Sequence, residues 1–98
     1  MKYTEEQILE IAKKVLRDLE KEYYKEENIE NTWFVEKEEL ARGANKGKEH
    51  PCWIVSVNEP VFDSSQFLTI DDETGEPLYL QTKHAVHEIQ KDEDGNYY

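Results

Sequence analysis

The chain has one cysteine, three prolines and four glycines in 98 residues. Cys52 has no partner for an internal disulfide, whereas a small secreted domain more often carries several. No run approaches the roughly 20 apolar residues that cross a bilayer, and Met1-Lys2-Tyr3-Thr4-Glu5-Glu6 is charged where a signal peptide is apolar. These absences give the expectation of a cytosolic protein, with a mature secreted fragment that has lost its signal as the alternative. Bases are also scarce, 12 against 23 acids, for a formal net charge of −11. Such a surface repels nucleic-acid phosphate and anionic lipid and attracts basic partners. The imbalance is uneven: residues 1–40 carry 12 acids and 7 bases, residues 41–58 carry 1 and 3, and residues 59–98 carry 10 and 2.

What remains is enough for a core. Apolar residues make up 37% of the chain and aromatic residues 11%, and each aromatic can bury on the order of 150–250 Å². The length predicts one domain over residues 1–98.

Thr4-Glu5-Glu6-Gln7 fits a capping box, Tyr3 and Ile8 fit the flanking hydrophobic staple, and Glu5 and Glu6 suit the positive end of a helix dipole. The stripe Ile8, Ile11, Ala12, Val15, Leu16, Leu19, Tyr23 then predicts a helix that ends near Glu27-Asn28, spanning roughly 35 Å. From there β-branched and aromatic residues bring the period down to two. Residues 32–37 form a first expected strand with Trp33 and Val35 on one face. Residues 39–50, with Gly43 and Gly47, read as a flexible connection with nothing to bury. Residues 51–57 form a second strand, with Trp53, Val55 and Val57 on the core face and Cys52, Ile54 and Ser56 opposite. Residues 66–71 and 77–81 pair as a hairpin around Gly75. Residues 83–98 fit either a helical turn or a last strand, and the strand is preferred; Asp92-Glu93-Asp94-Gly95 reads as a turn, and Tyr97-Tyr98 either packs back or frays. The expected fold is α+β, a long N-terminal helix packed on one face of a three- to five-stranded antiparallel sheet.

Several constellations hold residue types capable of chemistry. His84 and His87 stand three apart, close enough on a helix to share a metal with Glu88 or His50, but on a strand they diverge and are ordinary surface histidines. Asp71 to Glu76 and Asp92 to Gly95 are rich in oxygen ligands, yet lack the alternation of an EF-hand and are explained by hairpin turns. Ser64, Ser65 and Cys52 have no nucleophile signature around them. Arg42, Lys46 and Lys48 lie among glycines without phosphate-loop spacing. Trp33 and Trp53 read as core in preference to binding platforms. No catalytic residue, metal or cofactor is implied.

The acid excess over residues 59–94 falls on turns, where Asp63, Asp71, Asp72, Glu73 and Glu76 are expected to be presented. It serves either solubility or the steering of a basic partner. A third expectation concerns the second sheet face: Phe34, Ile54 and Cys52 there would form a homodimer interface.

The order of helix, Trp33-Phe34-Val35, Cys52-Trp53-Ile54-Val55 and Phe67-Leu68-Thr69-Ile70-Asp71-Asp72-Glu73-Thr74-Gly75 resembles the small immunity proteins of bacterial polymorphic-toxin systems. Many of these pair a leading helix with an Asp-x-x-Thr-Gly hairpin. It also resembles PepSY-like domains, which share the hairpin and are associated with peptidase inhibition. PepSY-like domains are usually exported or membrane-attached, so the first group is preferred. That resemblance implies a cytosolic, non-catalytic inhibitor of a basic toxin domain; the alternatives are a PepSY-like peptidase inhibitor and a small metal enzyme using His84 and His87. Neither family pattern fixes a site residue.

Overall fold

A computed structural model of the chain describes residues 1–43, 45–61 and 63–98. Thr4 opens the helix as expected. Its hydroxyl accepts from the Gln7 N–H at 3.2 Å, and the Gln7 side-chain oxygen accepts from the Thr4 N–H at 2.9 Å. Two N–H groups that have no partner inside the helix are thereby satisfied. The helix, α1, runs Glu5–Glu20 and buries Ile8, Ala12, Val15 and Leu16, with Ile11 and Leu19 at the margin of the core.

Its end differs from the sequence expectation. Lys21 takes a left-handed conformation, φ 53°, and two short 3-10 turns follow at Lys21–Tyr23 and Glu26–Asn28. The helix therefore has 16 residues, well short of the roughly 35 Å span expected from the sequence. The early stop also resets the phase: Tyr24 packs against the core, and Tyr23, expected in the apolar stripe, is 77% exposed.

Five strands follow: β1 Ile29–Glu39, β2 Glu49–Glu59, β3 Ser64–Asp71, β4 Pro77–Gln81 and β5 Val86–Glu88. They pair antiparallel in sequence order, β1-β2-β3-β4-β5, and with α1 on one face the arrangement is α+β. Beneath the helix lie Trp53, Val55, Val57, Leu68 and Ile70.

On β1 the face is the reverse of the one expected. Phe34, opposite Trp53, turns inward, its ring centroid 5.5 Å from the Trp53 ring, while Trp33 points to the outer face and is 41% exposed. In Trp33-Phe34-Val35 three apolar residues are consecutive, so alternation favours neither face. Register decides it, because the side chain opposite Trp53 must share its face.

The outer face is not bare. Cys52, Ile54, Ser56, Thr69 and Tyr79 are all buried there. The homodimer surface expected from Phe34, Ile54 and Cys52 is therefore absent in that form: Phe34 faces the helix, and the other two are covered. The segment expected as a loose connection over 39–50 contributes to this packing. The strands extend to Glu39 and from Glu49, Leu40 is buried, and the Ala41 N–H donates to the Tyr79 hydroxyl at 3.2 Å. A closed turn completes it, with N–H groups of Leu40 and Gly47 donating to carbonyls of Lys48 and Leu40.

The tail is a strand, as preferred, and then a hairpin. Gln90 and Tyr98 exchange backbone bonds around Asp92–Gly95, and the Tyr97 N–H donates to Asp18, which brings the Tyr97 ring against the core.

Candidate functional site

The acidic residues singled out in the sequence do not form one cluster. Asp63 lies in the β2–β3 turn, whereas Asp71 to Glu76 form the β3–β4 turn at the other end of β3. The eight residues of that strand separate the two turns by roughly 25 Å.

Within the β3–β4 turn the carboxylates divide into two kinds. Strand alternation carries Leu68, Ile70 and Asp72 to the helix side, and Asp72 is only 3% exposed. Its Oδ1 accepts from the Trp53 indole N–H at 2.9 Å and from the Tyr3 N–H at 3.2 Å, and its Oδ2 accepts from the Lys2 N–H at 2.8 Å. Burial opposes ionisation of this carboxyl, but the bonds from Lys2, Trp53 and Tyr3 outweigh it and hold the group below its ordinary range. Asp72 is therefore an internal fastener, not a presented charge.

Asp71 is also engaged. Its Oδ1 accepts from the Glu73 N–H at 2.7 Å and lies 2.9 Å from His50 Nε2, which donates to it. Gly75 supplies the positive φ, 75°, that closes the turn, and its N–H donates to the Asp71 carbonyl. The carboxylates of Asp63, Glu73 and Glu76 project into solvent and have no partner among the described residues.

The other candidate chemistries are placed as follows. His84 lies in the β4–β5 loop and His87 on β5, with Glu88 on the opposite strand face and His50 bonded to Asp71. Among the described residues no group of three or more His, Cys, Asp or Glu side chains could hold a metal ion. In the acidic C-terminal turn, Asp92 Oδ1 accepts from the N–H groups of Asp94 and Asn96, so this oxygen shapes the hairpin. Cys52 is fully buried, and burial, with Asp71 and Glu38 nearby, pushes its thiol up to about 12; a thiol so placed is not a nucleophile at neutral pH. Ser65 lies beside Glu30, 3.5 Å from its carboxylate, without a histidine base. Arg42 donates to the neighbouring Ala41 carbonyl.

Sequence reasoning missed one surface feature. Trp33 and Phe67 meet edge to face across β2, their centroids 6.4 Å apart, and are 41% and 38% exposed. The available signal was parity: Phe67 alternates with Leu68, and Trp33 with Phe34, so one member of each neighbouring apolar pair had to face outward, and register made it Phe67 and Trp33. Among the described residues no helix is long and apolar enough to cross a membrane. No family model, curated protein or solved structure matches the chain.

Proposed function

We propose that this protein is a non-catalytic binding module that recognises a basic protein, acting as a cytosolic immunity protein that neutralises a basic toxin domain. The observation that carries the reading is the division of the acids. Those the fold uses, Asp18, Asp71 and Asp72, are turned toward internal partners. Others, including Asp63, Glu73 and Glu76, stand unpaired at two ends of the sheet on a chain of net charge −11. Surplus carboxylates held apart on two turns make a broad negative field, which steers a cationic partner into encounter. The resemblance of the helix and Asp-x-x-Thr-Gly hairpin to toxin-immunity proteins supplies the partner class.

The test is affinity capture from the native host with the full chain as bait, followed by mass spectrometry and a parallel capture with Asp63→Asn, Glu73→Gln, Glu76→Gln combined. The expected result is a strongly basic protein whose recovery falls with the triple variant. A neutral or acidic partner recovered equally by both baits would overturn the reading.

A further inference from the structure

We infer that the outer sheet face around Trp33 and Phe67 is where the basic partner docks, with arginine side chains of that partner laid against the two rings. The inference rests on the proposed function and specifies its surface.

Three observations carry it. The rings form a roof over Ile54 and Ser56, which are 7% exposed each, so they are held on a packed floor and do not need to be ordered on binding. Rigid aromatic side chains on such a floor make effective anchors, since little rotamer freedom is lost when a partner arrives. Second, two other aromatic rings, Tyr24 and Tyr97 at the margin of the core, carry cations of their own: Arg17 lies 6.0 Å from the Tyr24 centroid and Lys91 5.4 Å from the Tyr97 centroid. Among the described residues no cation lies over Trp33 or Phe67.

Third, negative charge borders the pair. Glu30 reaches onto this face, its Oε1 accepting from Ser56 Oγ at 3.3 Å, and Ser56 is the direct neighbour of Phe67 across the sheet. Glu88 lies on the same face on β5, two strands and about 10 Å beyond β3. An aromatic ring beside a carboxylate suits a guanidinium, which stacks on the one and bonds to the other. A second copy of this chain would bring the same carboxylates and another net charge of −11 to the same place, so charge selects a basic partner over self-association. The bases of the β1–β2 turn, Arg42, Lys46 and Lys48, lie beyond Glu39, toward the other end of β1 from Glu30.

The experiment uses the full chain, isotopically labelled, titrated with a hexa-arginine peptide and followed by NMR. Each tryptophan gives one indole N–H signal, and the Trp53 signal, held by Asp72, reports the fold. The expected result is a saturable shift of the Trp33 indole and of amides around Phe67, with the Trp53 indole unmoved. Trp33→Ala is expected to weaken binding about threefold while the Trp53 signal persists, Glu30→Gln to weaken it further, and hexa-glutamate to shift nothing. Shifts confined to the turns of Asp63 or Glu73 and Glu76 would leave the basic-partner reading standing and remove this surface. Shifts at Trp33 that follow protein concentration without peptide would make a second copy the occupant and overturn the inference. No shift anywhere would count against both the surface and the function.

Discussion

Asp72 lies beneath the start of α1 with both oxygens occupied by Trp53 and the backbone of residues 2 and 3, while the next residue, Glu73, is exposed. Replacing Asp72 with Ala would leave a buried indole N–H unpaired and is expected to cost about 2–4 kcal/mol, read as a lower denaturation midpoint; Glu73→Gln should leave stability within about 0.5 kcal/mol. The same residue sets a pH dependence. Because its folded-state pKa is depressed, its contribution is present above the unfolded value near 3.9 and is lost as the pH falls through the folded one. Asp18, lowered by Lys14 and the Tyr97 N–H against the opposing effect of burial, acts in the same direction. Denaturation followed between pH 6 and 2 should show a steep loss below about pH 4, and Asp72→Asn should flatten it. The Tyr24 hydroxyl makes the opposite case: it is buried without a partner among the described residues, so Tyr24→Phe is expected to be neutral or stabilising by up to about 1 kcal/mol in thermal melts. Asp72 was partly legible, since strand parity from Leu68 and Ile70 puts it on the core side. Its burial is masked in the sequence because Asp-x-x-Thr-Gly accounts for its presence by turn chemistry alone.

The elements were legible where one local signal dominated. The capping box and the three-and-four stripe fixed the start and buried face of α1, and the 77–81 strand matches β4 because Gly75 and Pro77 punctuate it. The helix end was not legible. Lys21-Glu22-Tyr23-Tyr24 holds no glycine or proline, and the stop at Lys21, which turns Tyr24 instead of Tyr23 onto the core, is a tertiary choice with no local mark. The role of Leu40 was hidden for a similar reason: one leucine among polar residues shows no period, and its burial depends on strands that pair far from it in sequence. The contact between the start of the chain and the β3–β4 turn is also non-local. A Cβ built on Gly75 would lie 2.6 Å from the Tyr3 hydroxyl oxygen, at a φ of 75°. Gly75→Ala is therefore expected to destabilise by about 1–3 kcal/mol, from strain and clash together. Combining it with Tyr3→Ala should recover the clash but not the strain, so a double-mutant cycle with no coupling would contradict the contact.

Across the whole molecule the two sheet faces have different tasks. One is sealed by α1; the other is closed by its own side chains and by the β1–β2 turn, and ends in an aromatic pair bordered by carboxylates. On the proposed reading, charge outside this frame governs encounter with the partner and the rings govern residence, so the two contributions are separable in kinetics. The most direct measurement is the association rate with the captured basic partner across ionic strength, for the wild type and for the Asp63→Asn, Glu73→Gln, Glu76→Gln variant. The account predicts that the wild-type rate falls at least about tenfold between low and high salt, and that the variant associates more slowly at low salt with its dissociation rate unchanged. An association rate indifferent to salt, equal in the two proteins, would contradict it.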